Sequence, residues 1–186
     1  MGIALANQFK REGADVILVA GPIDLKGIDK GIEIVHVVSA DEMEQACKNH
    51  FKDSDIGIMN AAVSDFRPVV QADKKIKRSA EEMTISLTPN ADIAAGLGSS
   101  KMEHQLLVGF ALETDEGLEA AIEKKERKNL DMIILNSLQD SGAGFGVDTN
   151  RVTIISKDNN PHKFELKTKK EVAVDIVDAI FTIFDS

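Results

Sequence analysis

The sequence predicts one α/β domain with a mostly parallel sheet and helices on both faces. Short apolar runs alternate with amphipathic segments along the chain, which is the pattern of parallel strands joined by crossover helices. The 186 residues suit one domain, and 43% hydrophobic with 28% charged residues is typical of a folded globular protein. We therefore treat residues 1–186 as a single domain.

The first elements are an amphipathic helix and three strands. The helix ends at Gly13, since glycine takes the left-handed conformation past a helix end at little cost. Apolar runs predict strands at residues 15–20, 32–38 and 55–63, the last of them central in the sheet. Before the third strand, Ser39 and Glu42 form a capping box that begins a helix. No strand precedes the first helix, so we expect the domain to begin before Met1.

The second half of the chain continues the alternation. Strands are predicted at residues 83–88, 105–112, 131–136, 151–156 and 162–166. The turn residues 158–161 make the last two strands a hairpin. Helices are predicted from Pro89, from Thr114 to about Asn129, and from a second capping box at residues 168–171 to the C-terminal end.

Composition excludes several classes of function. The chain has 31 acidic and 22 basic residues and a formal net charge of −9, whereas proteins that hold nucleic-acid polymers need a basic face. No apolar run approaches the roughly 18 residues that span a bilayer. Cys47 is the single cysteine, which excludes an internal disulfide. We expect a cytoplasmic protein without a nucleic-acid or membrane partner.

A cluster of cations follows the strand at residues 55–63, where ligands of parallel sheets bind. Lys74, Lys75, Lys77 and Arg78 lie within five positions of an otherwise acidic chain. Such a cluster suits the phosphates of a nucleotide, and a solvated lysine loop is the alternative interpretation.

The carboxylate of Asp65, after the same strand, suits Mg²⁺ carried by a nucleotide, or else caps a turn. Arg67 is expected to pair with a nearby carboxylate. Lys124 and Lys128 share one helix face, which either reaches a ligand or is solvated. Residues 90–93 place a helix N-terminus at a strand end, which suits an anion or serves only as a cap.

Other sites are not supported. The four histidines have no metal-like spacing, so a metal site is unknown apart from the Asp65 hypothesis. Neither a G-x-G-x-x-G fingerprint nor a P-loop occurs, and the glycines at residues 142–146 do not lead from a strand into a helix. This argues against a nicotinamide-dependent oxidoreductase. Phe110 lies in a predicted buried strand and is expected in the core.

Six motifs occur in one order along the chain: A-A-V-S-D-F-R-P, K-I-K, N-A-D-I, V-G-F-A-L-E-T, K-x-x-x-K and F-G-V-D-T-N. Together they resemble phosphopantothenoylcysteine synthetase (phosphopantothenate–cysteine ligase), the ligase domain of the bacterial bifunctional enzyme of coenzyme A biosynthesis. The resemblance covers essentially the whole chain. It implies a Rossmann-like fold, a homodimer, and fusion to or association with a phosphopantothenoylcysteine decarboxylase.

The resemblance also implies a reaction. The carboxylate of 4′-phosphopantothenate attacks the α-phosphate of CTP, with Mg²⁺ as cofactor, and the amine of cysteine then displaces CMP from the acyl-cytidylate. The family's N-x-S-S-G-K loop would precede the Met-Gly that opens this sequence. Without that loop, a nucleotide-binding module that lacks ligase activity is the alternative.

The resemblance assigns residues as well. Lys75 matches the catalytic lysine that acts on the triphosphate. The positions that match nucleotide contacts, besides Lys75, are Met59, Asn60, Ala61, Asp65, Asn90, Ala91, Asp92, Ile93, Phe110, Lys124 and Lys128. Ala91 stands where the family commonly has proline, and Asn60 and Ser64 stand where it has alanine. Because Asn60 would lie near the base, the preference for CTP over ATP stays open.

Overall fold

The computed structural model describes residues 1–70, 72, 74–76, 83–113, 117–137 and 147–184. The helices in these ranges are α1 (Gly2–Arg11), α2 (Ala40–Phe51), α3 (Ile93–Ser100), α4 (Gly117–Arg127) and α5 (Lys169–Phe184). The strands are β1 (Ile17–Ala20), β2 (Glu33–His36), β3 (Ile56–Met59), β4 (Phe66–Pro68), β5 (Leu87–Pro89), β6 (Leu106–Glu113), β7 (Met132–Ser137), β8 (Thr149–Asn150), β9 (Val152–Ile155), β10 (Pro161–Lys163) and β11 (Lys167–Thr168). None of the helices described is long and apolar enough to cross a bilayer.

The central sheet has five strands in the order β10-β9-β7-β6-β3. Strands β3, β6 and β7 are parallel, and β9 and β10 form the antiparallel C-terminal hairpin. The predicted α/β class with a mostly parallel sheet is therefore confirmed, as is the hairpin followed by a helix.

Strand β3 lies at an edge rather than in the centre, so that part of the prediction is wrong. It pairs with β6 alone within the described chain, while β1 and β2 form a separate two-stranded parallel sheet. An apolar run indicates that both faces of a strand are covered. Helices can cover both faces of an edge strand, so the run does not show that the strand has a neighbour on each side. Ile58 packs on one hydrophobic cluster and Met59 on the other, which explains the apolar run at an edge.

Two hydrophobic clusters cover the two faces of the central sheet. Along β7, Met132 and Ile134 face the cluster formed with α1 and α5, whereas Ile133 and Leu135 face the cluster formed with α2, α3 and α4. All four side chains are at most 2% exposed. A strand buried on both faces needs this continuous apolar run, which is why β7 was predictable.

Both predicted capping boxes are present. The hydroxyl of Ser39 accepts a hydrogen bond from the backbone N–H of Glu42, and the Glu42 carboxylate accepts from the backbone N–H of Ser39. Thr168 and Glu171 make the same reciprocal pair at α5. The predicted Thr114 cap and the glycines at 142–146 lie outside the described residues. Cys47 packs against the second cluster, and its burial raises the pKa of the thiol.

The strand predicted at residues 83–88 is mostly wrong. Only Leu87–Pro89 is a strand, and it pairs antiparallel with β4, which the sequence pattern did not predict. Met83, Ile85 and Leu87 alternate as expected, but they are 61%, 57% and 56% exposed. Alternating apolar and polar residues indicate that a segment has one apolar and one polar face. Burial of the apolar face also requires another element that packs against it.

Candidate functional site

The candidate site lies beyond the end of β3 and beside the first turn of α3, and the side chains of Lys124 and Lys128 extend to it from the C-terminal end of α4. Met59 ends β3, residues 90–92 lead from β5 into α3, and Lys124 lies in the last turn of α4. Carboxyl ends of parallel strands and helix N-termini are where such sheets hold anionic ligands. Most of the residues assigned from the sequence therefore belong to neighbouring elements.

Two lysines four residues apart, Lys124 in α4 and Lys128 just after it, point into the structure rather than into solvent. Lys124 is partly buried, and its Nζ donates to the carbonyl oxygen of Phe110 at 3.2 Å. Lys128 follows the end of α4, and its side chain is only 15% exposed. Burial and, secondly, the charge of Lys128 lower the pKa of Lys124. The solvated-face interpretation is therefore wrong for these two side chains.

Asp92 pairs with Lys128 and caps α3. Nζ of Lys128 lies 2.9 Å from Oδ1 and 2.8 Å from Oδ2 of Asp92, and the backbone N–H of Ala95 donates to Oδ1. Burial alone would raise the pKa of Asp92, but these hydrogen bonds and the charges of Lys128 and Arg127 together lower it. Asp65 and Asp92 both act electrostatically on Lys124. We call Asp65, Asp92, Lys124 and Lys128 the charge cluster.

Replacing Asp92 with asparagine is expected to lower stability at pH 7 by about 0.5–1 kcal/mol, because the pair is half exposed. Asparagine caps a helix as well as aspartate does, so the change isolates the charge. A lowered pKa in the fold makes the contribution complete above the ordinary value of 3.8 and lost as pH falls below it. The Tm difference between the two proteins, followed from pH 7 to 3, should shrink; a constant difference would contradict this.

Asn90 is hydrogen-bonded to three other residues of the protein. Its Nδ2 donates to the carbonyl oxygen of Ser64 at 2.7 Å, and its backbone N–H donates to the carbonyl oxygen of Asp65 at 2.8 Å. Its Oδ1 accepts a hydrogen bond from Nη1 of Arg67 at 2.8 Å. Arg67 also meets Asp41 at 3.3 Å, which confirms the expected pairing with a carboxylate. The Asn90 amide therefore joins two loops. Sequence reasoning missed this link, since no spacing rule connects residues 67 and 90.

The remaining assigned residues have different environments. Ile93 is 8% exposed in the second cluster, so only its backbone can face a ligand. Met59 and Phe110 pack against the core, as predicted for Phe110. Ala61 and Ala91 are exposed, whereas Asn60 is partly buried. A Cβ on Gly2 would lie 3.1 Å from Oδ1 of Asn60, which places Asn60 beside the start of α1.

Lys74 and Lys75 are exposed, and Lys77 and Arg78 lie outside the described residues. The described part of the chain shows no hydrogen bond or ion pair between Lys75 and the charge cluster. No group of three or more His, Cys, Asp or Glu side chains converges on a metal position within the described ranges. The exposed carboxylate of Asp65 fits Mg²⁺ that takes most of its ligands from phosphates, since such sites use one or two carboxylates.

A concave surface of about 480 Å³ lies elsewhere, between the C-terminal hairpin and α5. Its lining includes Met132, Ser156, His162 and Asp175. Met132 begins β7, so this surface is at the amino end of the parallel strands. It contains none of the assigned site residues, whereas the charge cluster combines paired charges with a helix N-terminus.

Residues 1–183 match the model of a family described as DNA/pantothenate metabolism flavoprotein C-terminal domain. A protein of an unknown prokaryotic organism, named Cysteine/Cysteine sulfinic acid decarboxylase, is 56% identical over 183 residues, or 98% of this chain and 51% of that protein. The Coenzyme A biosynthesis bifunctional protein CoaBC of Bacillus subtilis (strain 168) is 41% identical over 180 residues, or 97% of this chain and 44% of that protein. The chain spans about half the length of these curated relatives.

A solved structure agrees with these matches. The crystal structure of the C-terminal domain of Coenzyme A biosynthesis bifunctional protein CoaBC superposes with a TM-score of 0.81. It is 38% identical, and the superposition covers 99% of this chain and 83% of that one. The likeness thus extends over the sheet and both helical layers.

Proposed function

Since the chain is a phosphopantothenoylcysteine synthetase domain and belongs to the DNA/pantothenate metabolism flavoprotein C-terminal domain family, we propose that it joins 4′-phosphopantothenate to cysteine with CTP. The observation that carries the proposal is the charge cluster at the strand ends. Lys124 and Lys128 supply positive charge for phosphates, and the first turn of α3 supplies backbone N–H groups.

The proposed chemistry needs charge more than a protein nucleophile. A carboxylate oxygen of 4′-phosphopantothenate attacks the α-phosphorus of CTP, and the bond to the β-phosphate breaks to release pyrophosphate. The amine of cysteine then attacks the acyl carbon, loses a proton and expels CMP. If the amine attacked the free carboxylate, the leaving group would have to be an oxide ion, which leaves very poorly. In the acyl-cytidylate the leaving group is CMP, which leaves readily. Catalysis therefore depends on positioning and on stabilising charge at the phosphates.

Each part of the site has a proposed task. Lys75, which belongs to the cluster of cations between Lys74 and Arg78 in the sequence, contacts the triphosphate, and Lys124 and Lys128 hold the nucleotide. Asp65 would hold Mg²⁺, which neutralises phosphate charge when it is bound. Asp92 keeps Lys128 in place through the ion pair. Asn60 is assigned beside the base, and Met59, Ala61, Asn90, Ala91, Asp92, Ile93 and Phe110 are assigned to other contacts with the nucleotide.

Pyrophosphate release from CTP, 4′-phosphopantothenate and cysteine tests this function in the full chain. The ligase function predicts release that requires phosphopantothenate, and product that requires cysteine as well. Nucleotide binding without release would favour the nucleotide-binding module instead. ATP in place of CTP measures the base preference. CO₂ release from cysteine or cysteine sulfinic acid, the substrates in the name of one relative, would instead favour a decarboxylase.

We also propose that two copies of the chain associate through the surface around β4 and β5. The large hydrophobic residues of these strands and of the described chain segments next to them are exposed, namely Phe66, Val69, Val70, Ile76, Met83, Ile85 and Leu87. Apolar residues concentrated in this way mark an association surface. The homodimer implied by the family resemblance would cover them.

Replacing Val70 with lysine is expected to weaken self-association by about 10- to 100-fold, the effect of losing one buried valine at an interface. Val70 is 82% exposed, so the monomer should keep its stability. Val38→Lys is the matched control, because Val38 is 83% exposed and lies after β2. Sedimentation equilibrium measures both variants. Equal weakening in both, or a wild-type chain that stays monomeric, would refute the proposed surface.

A further inference from the structure

Arg67 is the middle residue of β4, and one nitrogen of its guanidinium group lies close to three acceptor oxygens. Its Nη1 lies 2.8 Å from Oδ1 of Asn90 and 3.3 Å from the carbonyl oxygen of Pro89. The same nitrogen lies 3.3 Å from Oδ1 of Asp41, in the first turn of α2. One guanidinium nitrogen thus links the α2 terminus to the end of β5.

Asn90 carries this link to the site. Its side chain and backbone hold the carbonyl oxygens of Ser64 and Asp65, at 2.7 and 2.8 Å respectively. Two residues further on, Asp92 caps α3 and forms an ion pair with Lys128. The Arg67–Asn90 contact therefore adjoins the link between the loop that carries Asp65 and the loop that leads to Asp92.

We propose that Arg67 is a positioning residue of the nucleotide site, acting through Asn90 on Asp65 and Asp92. This rests on the proposed function. Arg67 is 43% exposed and its partner Asp41 59%, so their ion pair adds little to stability. A contact that links two loops outside the hydrophobic core is expected to affect ligand affinity more than unfolding.

Replacing Arg67 with methionine tests the proposal, since methionine keeps much of the length but cannot donate a hydrogen bond. MgCTP affinity, measured by calorimetry without other substrates, should fall about 10-fold, while Tm changes little. In turnover, the KM for CTP should rise more than kcat falls. Arg67→Lys keeps the charge and should recover part of the affinity. Asp41→Asn leaves the Asn90 contact intact and should stay within about 2-fold of wild type.

A double-mutant cycle separates positioning from general loss of structure. If Arg67 acts through Asn90, Arg67→Met with Asn90→Ala should weaken MgCTP binding no more than the stronger single change does. Additive losses, or an Arg67→Met protein with wild-type affinity, would overturn the proposal. A wild-type chain that binds MgCTP but releases no pyrophosphate would refute the ligase function and leave this result standing. No binding by the wild type would refute both.

Discussion

Replacing Lys75 with glutamine is expected to lower pyrophosphate release by about 10²–10³-fold, the usual cost of removing one group that stabilises transition-state charge. Glutamine has similar length and polarity, so the change removes mainly the positive charge. Lys75 is exposed, and its replacement should leave Tm unchanged. The measurement is single-turnover release from CTP and 4′-phosphopantothenate, with circular dichroism to confirm the fold.

Lys74→Gln is the control for this change. Both lysines are exposed neighbours, so both substitutions remove the same charge from the same segment. A specific role of Lys75 predicts a far larger loss in Lys75→Gln than in Lys74→Gln. Equal losses would show that the segment acts only through its total charge, and wild-type turnover in Lys75→Gln would reject the assignment.

The strands that were predicted well from the sequence are those whose burial can be inferred from their own residues. β6 and β7 are buried on both faces, so each requires a continuous apolar run that a single segment reveals. β4, β8 and β11 have two or three residues each and exist because of a partner remote in sequence. Short pairs of that kind have no periodicity that a local pattern could detect.

The candidate site shows the same division. The positions of Lys124 and Lys128 on one helix face follow from helical spacing, but the direction of that face depends on packing against β6. A cap within residues 90–93 was predicted, although the helix begins at Ile93 rather than at Pro89, and the ion pair of Asp92 with Lys128 joins residues 36 positions apart. Charge and spacing thus identified candidate residues, and tertiary contacts determined which of these candidates meet.

Replacing Gly98 with alanine is expected to destabilise the chain by about 3 kcal/mol, at the upper end for overpacking. A Cβ there would lie 1.9 Å from the carbonyl oxygen of Lys128, closer than any real contact allows. The obstacle is backbone, so no side-chain rotation relieves it. For a chain of this size the loss should lower Tm by about 6–12 °C. Nucleotide affinity should also fall, because relief of the clash moves α3 away from Lys128 and strains its pair with Asp92.

Gly96→Ala provides the matched comparison in the same helix. The nearest atom to a Cβ on Gly96 is Cε of Lys48 at 3.9 Å, an ordinary contact with a flexible side chain. Alanine should therefore stabilise α3 by about 0.5–1 kcal/mol through its lower backbone entropy. The two substitutions add the same methyl group two residues apart and should shift Tm in opposite directions. Thermal unfolding of both variants decides this, and similar shifts would mean that close packing of α3 against residue 128 does not hold the helix in place.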